Sequence, residues 1–339
     1  MEYRKLGRTE LNVSTLGFGA SPLGDVFGPV NPAAGERAVH LAIDHGINFF
    51  DVAPYYGPVL AEERLGKALL GRRTKVILAS KCGRYGVDTF DYSPRRIRSS
   101  IEESLRRLHT DYLDLYQVHD VEFGSIEQIV GETLPTLWAL QKEGKVRYVG
   151  ITGYMLRMLM RVAEAASPDS ILSYCRYNLL VDDLDRVLVP YAQERGIGVI
   201  NASALHMGIL SSHGAPEWHP AADEVRQAGI KASRYCREHG ANLSQIALQF
   251  CFGYNKVATT LVGMRSMEEV RRNLRALATP LDPALLAKVR TILAPAFNMV
   301  WPSGLPANHD FRAASHRPSA LRARRVSMRA SSRRGGEER

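Results

Sequence analysis

The chain has 339 residues, 45% hydrophobic and 23% charged, enough to bury a large core without disulfide or metal staples. Its net charge of +9 is gathered at one end: from Phe311 to Arg339 nine arginines stand against two glutamates, +7, which leaves the rest of the chain only +2. A nearly neutral body argues against nucleic acid as a partner, and the absence of any apolar run of about 18 residues argues against a membrane span.

In chain order, short β-branched apolar runs alternate with longer amphipathic stretches, the pattern of βα units. Tyr3–Val13, turning at Gly7-Arg8-Thr9, reads as a small hairpin. Strands are predicted at Val13–Gly19, Ile47–Asp51, Val76–Lys81, Leu113–His119, Val146–Thr152, Ile171–Tyr177, Gly198–Ser203 and Thr260–Gly263. Among the helices between them, Ala33–His45 has apolar residues at helical spacing and Leu60–Leu70 follows a Tyr-Gly-Pro turn. Pro94–Leu108 opens with Ser93 as N-cap and proline at its first position. Ser125–Lys142 stops just before Gly144, a helix-ending residue.

Strands that are each followed by a helical stretch fit a closed (β/α)8 barrel, the TIM barrel of the α/β class, with the N-terminal β-hairpin capping its floor. An open doubly wound sheet would bring a GxGxxG turn. Leu16-Gly17-Phe18-Gly19-Ala20 has the first two glycines, but Pro22 stands where the third belongs. Residues 1–305 are expected to form this one domain, and 306–339 a disordered Arg-rich tail of little functional weight. The cysteines Cys82, Cys175, Cys236 and Cys251 form no CxxC pair, so reduced thiols and no metal are expected. The opening MEYRKLGRTELNV lacks an apolar signal-peptide region, and a cytoplasmic location follows as an expectation.

Four polar residues fall at or just past predicted strand ends. Asp51 ends FFD, Lys81 ends VILASK, His119 ends LYQVH, and Tyr56 lies in the loop DVAPYYG. Taken singly each has a plain explanation: an aspartate caps helices, a lysine marks a strand leaving the core, a histidine is satisfied where it sits. Their coincidence on successive positions of a barrel rim, where active sites form, points to chemistry. A tyrosine hydroxyl ordinarily titrates near ~10. A buried Lys81 ammonium would lower that value, with Asp51 holding the lysine charged and His119 orienting a substrate oxygen. Tyr56 is then a general acid–base for a carbonyl/alcohol pair, with a nicotinamide carrying the hydride.

The segments FFDVAPYYGPVLAEERLGKAL, VILASK, YLDLYQVHD and GKVRYVGITG together resemble the aldo-keto reductases, from about Tyr3 to Gly304. The resemblance implies the catalytic tetrad Asp51, Tyr56, Lys81 and His119. A narrower likeness, to members that oxidise aldoses such as L-galactose or L-fucose at C1 with NAD, lies in KCGRYG (81–86), HDVEFGSIEQIVGET (119–133), ILSYCRYNL (171–179), GAPEWHPA (214–221) and NMVWPSG (298–304).

The resemblance also implies a cofactor site at Thr152, Asn178, Ser203, Leu205, Gly208, Gly263, Arg265, Ser266, Glu269 and Asn273, where turns near a helix start suit phosphate. Ala202 stands where many members stack a tyrosine on the nicotinamide, which agrees with the narrower likeness. Glu269 stands where NADP-preferring members commonly carry arginine, and a carboxylate repels a 2′-phosphate, so NAD is expected. Arg265, Arg271 and Arg272 keep NADP open.

Substrate contacts are expected from Tyr85, Asp120, Phe123 and Trp301 in loops after the strands. Trp301 offers an apolar face for a sugar ring, or else simply packs the C-terminal segment. Asp120 accepts from hydroxyls, or else caps the helix near Ser125. The competing readings are a generalist NADPH-dependent aldehyde or ketone reductase and a non-catalytic cofactor-binding regulatory subunit. A monomer or weak homodimer is expected, with a small-molecule aldose as partner and neither nucleic acid nor membrane.

Overall fold

The computed structural model describes residues 1–310, and the tail expected to be disordered from 311 onward lies outside them. The antiparallel strands β1 (Tyr3–Lys5) and β2 (Asn12–Ser14) form the expected hairpin. Eight parallel strands then close a barrel: β3 (Leu16–Gly19), β4 (Phe49–Asp51), β5 (Ile77–Cys82), β6 (Leu113–Val118), β7 (Val146–Gly153), β8 (Ser170–Tyr174), β9 (Gly198–Ala202) and β10 (Thr259–Gly263), which pairs back onto β3.

Side chains alternate between the inside and outside of such a barrel. The lower interior is apolar: Phe49, Ala79, Leu115, Leu172, Ile200 and Leu261 are buried there, closed from below by Leu6, Leu11 and Val13 of the hairpin region. Two residues further along the same faces stand Asp51, Lys81 and Gln117, so the strand period itself delivers a polar layer to the C-terminal end. The outward set, including Phe18, Phe50, Leu78, Tyr116, Val149, Ile171 and Val199, packs under the helices.

The helices are α1 (Pro32–Asp44), α2 (Leu60–Ala68), α3 (Pro94–Arg107), α4 (Ile126–Gln128), α5 (Leu134–Lys142), α6 (Leu156–Ala166), α7 (Val189–Glu194), α8 (Asp223–Glu238), α9 (Leu243–Phe252), α10 (Met267–Ala278) and α11 (Pro283–Leu293). Their starts follow the sequence closely. Ser93 accepts the Arg96 N–H and Ser125 the Gln128 N–H. The stretch predicted as one helix over 125–142 carries a π-turn at Ile129–Thr133 between α4 and α5. No helix among the described residues is long and apolar enough to cross a membrane.

Three boundaries differ from expectation. Val13–Gly19 is not one strand: Ser14 donates its hydroxyl to the Leu16 carbonyl and exchanges bonds with Asn48, which ends the hairpin and redirects the chain into the barrel. Ile171–Tyr177 stops at Tyr174, because Cys175 adopts a left-handed φ of 59°. Residues 306–310, assigned to the tail, are held on the body. Asn308 donates to the carbonyls of Glu122 and Gly124, both at 2.9 Å. Asp310 accepts the N–H groups of Leu156 and Arg157 at the start of α6 and pairs with buried Arg176 at 2.8 Å. These partners are distant in sequence, so composition does not reveal them.

Candidate active site

The four residues at the predicted strand ends meet in one cluster. The Lys81 ammonium pairs with Asp51 Oδ1 and donates to the Val52 carbonyl at 2.9 Å and to the Tyr56 hydroxyl at 3.3 Å. Lys81 is 1% exposed and Asp51 4%. The His119 ring meets Tyr56 edge-on, centroids 5.8 Å apart. Tyr56 is placed by a turn with little freedom: Gly57 has φ +61°, and a Cβ there would lie 1.8 Å from the Gly24 carbonyl oxygen. The neighbouring Tyr55 hydroxyl is taken by Arg84 at 3.2 Å, so only Tyr56 faces the lysine.

Gln117 completes the cluster, donating from Nε2 to Asp51 Oδ2 at 2.9 Å. Sequence reasoning passed over it. The signal was present, since a polar residue in LYQVH shares the inward parity of Leu115 and His119.

Burial opposes the charge on Lys81, yet Asp51 and Tyr56 hold the ammonium above the ordinary lysine range. Tyr56 departs from expectation. Burial pushes its hydroxyl above the usual tyrosine value by more than Lys81 pulls it down, and Asp51 and Asp120 add to the rise. Removing water costs the phenolate more than one ammonium returns. His119 is driven down to about 3, mainly by burial, with Lys81 and Arg84 adding to the fall and Asp120 opposing it, so the imidazole is neutral.

The expected substrate residues divide. Asp120 stands beside the cluster, Oδ2 3.8 Å from His119 Nε2 and paired with Arg84. Its side chain caps no helix; Ser125 does that. Phe123 stacks on Phe90 at 4.3 Å, with the Arg84 guanidinium 5.6 Å from its ring. Tyr85 is turned away: its hydroxyl accepts the Gly83 N–H and Arg96 of α3 lies 4.0 Å over its ring. Arg84, one residue earlier, pairs with Asp120 instead, and its partners Asp120 and Tyr55 are too distant for spacing to reveal. Trp301 is 9% exposed, stacked on Tyr154 at 4.4 Å with His206 and His219 against it edge-on, which is the packing alternative for this residue.

The cofactor residues expected from the resemblance lie at the ends of β7 to β10. Thr152 accepts the Asp120 N–H at 3.1 Å. Asn178 is occupied by the protein, accepting from Leu180 N–H at 2.9 Å and meeting His206 Nδ1 at 3.1 Å. Ser203 begins a loop rich in left-handed conformations, with φ 58° at Ser203, 49° at His206, 47° at Met207 and 107° at Gly208. Its turns are closed by the His206 N–H on the Ser203 carbonyl and by the Gly208 and Leu210 N–H groups on that of Leu205, and the His206 carbonyl accepts from His219 Nε2 at 3.1 Å. The N–H groups of Ser203, Ala204 and Leu205 have no acceptor among the described residues.

Next to that loop, β10 pairs with β9 and ends at Gly263, whose added Cβ would come within 2.8 Å of Pro22. Ser266 caps α10 by accepting the Glu269 N–H at 3.2 Å. The Glu269 carboxylate accepts from Arg265 N–H at 2.8 Å and Nε at 3.4 Å, and Arg265 also reaches the Phe27 carbonyl at 3.0 Å. Asn273 is 5% exposed on the same helix. Free backbone donors beside a capped helix start are a donor set that fits a dinucleotide pyrophosphate.

Buried Glu122 accepts from Tyr154 N–H at 2.8 Å and from the Ser303 hydroxyl at 3.3 Å. Burial, with repulsion from Asp120, raises its carboxyl to about 8. The folded state therefore binds this proton more tightly than the unfolded chain. Stability is lost as pH climbs from the ordinary carboxyl range to about 8, and the cost stays in full above that. Glu122→Gln is expected to melt several degrees above the parent at pH 9 and close to it at pH 5. Melting curves at the two pH values check this, and an equal difference at both would contradict it.

The model of the aldo/keto reductase family matches residues 15–294. The chain is 46% identical to L-galactose dehydrogenase of Arabidopsis thaliana, over 91% of this chain and 99% of that protein. It is 33% identical to D-arabinose 1-dehydrogenase of Saccharomyces cerevisiae, over 80% and 88%. The solved holo form of aldo-keto reductase AKR11C1 from Bacillus halodurans superposes with a TM-score of 0.71 at 31% identity, covering 88% of this chain and 97% of that one.

Proposed function

The chain belongs to the aldo/keto reductase family, and from that premise we propose that it oxidises an aldose at C1 to the aldonolactone, with NAD as hydride acceptor. The observation that carries the reading is the Tyr56 hydroxyl 3.3 Å from a buried Lys81 ammonium and packed against a neutral His119. L-Galactose, giving L-galactono-1,4-lactone, is the first candidate from the relative at 46% identity, followed by L-fucose and related sugars.

Tyr56 as phenolate takes the proton of the anomeric hydroxyl, and the Lys81 ammonium beside it steadies the charge that tyrosine carries beforehand. Asp51, oriented by Gln117, keeps Lys81 charged and in place. Neutral His119 holds the substrate oxygen by a hydrogen bond. Nicotinamide, when bound, supplies the hydride acceptor. Thr152 and the Ser203–Gly208 loop would hold its end of the dinucleotide, and Gly263, Arg265, Ser266, Glu269 and Asn273 the adenosine end.

Glu269 supports NAD over NADP. Its carboxylate stands at the start of α10 and already engages Arg265, a guanidinium otherwise available to a 2′-phosphate. The kcat/KM for NAD is expected to exceed that for NADP by about 10-fold or more, a difference near 1.4 kcal/mol. Equal or better use of NADP overturns the preference.

A panel of L-galactose, L-fucose, D-arabinose and L-gulose with NAD, followed by NADH absorbance, tests the reaction. Faster NADPH-linked reduction of simple aldehydes would favour the generalist reductase, and cofactor binding without turnover a regulatory subunit.

A further inference from the structure

We propose that Tyr174 is a nicotinamide-binding residue of this site, giving the cofactor's ring an aromatic contact and its carboxamide a hydrogen bond. That role rests on the reading of the barrel mouth as a nicotinamide site, and it adds a residue outside the turns assigned to the dinucleotide above.

Tyr174 is the last residue of β8, two beyond the buried Leu172 of the barrel interior, so the strand period points it into the mouth. It pairs in register with Ala202 of β9, and the Cys175 N–H on the Ala202 carbonyl at 3.0 Å ties the two strand ends together just past it. Its ring leans on Tyr154, centroids 5.5 Å apart, and Tyr154 is itself stacked on Trp301. Strand pairing below and aromatic packing behind hold the ring in place before any ligand arrives.

The hydroxyl is what this packing leaves unused. Tyr174 is half-buried, as Tyr56 is, and its oxygen has no hydrogen-bond partner among the described residues. The Tyr116 hydroxyl also lacks a partner but is sealed inside the protein; that of Tyr174 is not. Burial, with Asp120 and Glu122 adding to it and Arg84 opposing, raises this hydroxyl well above the ordinary tyrosine value. At neutral pH it is an uncharged group able to donate and to accept.

Position decides which ligand completes it. Ala202 leads directly into Ser203–Leu205, whose free N–H groups suit the pyrophosphate, while the reacting carbon has to lie against Tyr56 and His119. The nicotinamide must reach from the first to the second, past the ends of β7, β8 and β9. There Thr152 brings a hydroxyl that already accepts the Asp120 N–H, and Ala202 brings only a methyl. Tyr174 alone offers a ring with a free polar end. A flat aromatic ring carrying an amide matches both features.

The test titrates the full chain calorimetrically with NAD and with ADP-ribose, which keeps the adenosine, the pyrophosphate and the second ribose but has no nicotinamide. Tyr174→Ala is expected to weaken NAD binding by about 10-fold while ADP-ribose stays within about 2-fold of the parent. Tyr174→Phe keeps the ring and should fall between, about 3-fold weaker for NAD. Equal weakening of NAD and ADP-ribose would mean a merely structural role and overturn the proposal. Parent-like NAD binding by Tyr174→Ala overturns it too. So does a loss confined to the KM for the aldose, which would put the sugar against Tyr174 instead. Parent-like NAD binding by Tyr174→Phe alone overturns the bond to the carboxamide. These affinities need no turnover: a parent that binds NAD but oxidises no aldose loses the functional reading, and the variants still decide the role of Tyr174. A parent that binds neither NAD nor NADP overturns both.

Discussion

Tyr56→Phe is expected to lower kcat for aldose oxidation by about 10²- to 10⁴-fold, the range that proton transfer by a positioned side chain contributes. NAD affinity should stay within a few-fold of the parent, since the hydroxyl is engaged by Lys81 and no residue of the expected cofactor site touches it. The ring and its edge contact with His119 are kept in phenylalanine, so the loss is specific to the oxygen. The parent's pH profile carries an independent sign. Burial raises the Tyr56 hydroxyl above its usual value, so the phenolate needed for oxidation grows in proportion as pH rises through neutrality. The kcat/KM for oxidation is expected to climb from pH 7 toward pH 9. His119, already neutral down to about 3, adds no inflection near pH 6 to 7. Near-parent turnover by Tyr56→Phe, measured as NADH formation, would remove Tyr56 from the reaction.

Lys81→Met should abolish turnover and also destabilise the fold by about 3–5 kcal/mol, because it strands the Asp51 carboxylate in the barrel. Asp51 is 4% exposed, and after the substitution only the Gln117 amide remains bonded to its side chain. The Val52 carbonyl loses its Nζ donor as well. Adding Asp51→Asn to Lys81→Met removes the stranded charge and is expected to recover much of the stability with none of the activity. The double-mutant cycle, read by denaturant melts for one quantity and NADH formation for the other, separates the two roles. A Lys81→Met variant that melts with the parent would show that the buried pair carries little of the stability.

Much of this was legible in the residues. Alternating apolar runs and amphipathic stretches predicted the barrel. The strand ends at Asp51, Lys81 and His119 predicted the rim on which they meet, since a period of two carries an inward face from core to mouth without tertiary information. Ser93 and Pro94 announce a helix start because capping is a bond within one turn. Around Tyr85 the sequence marks only a loop after β5, while the stacking of Arg96 on Tyr85 and the pull of Asp120 decide that Arg84 is the residue facing Asp120.

Residue type, strand period and capping pattern act over a few residues, and they sufficed for the barrel and for the tetrad that meets on its rim. The sign of the Tyr56 shift, the Gln117 bond to Asp51, the Arg84–Asp120 pair and the docking of Asn308 and Asp310 were decided only in the folded chain. Each depends on burial or on partners brought together from distant segments, and the cost of removing water from a charge has no value until the fold says how much water is left.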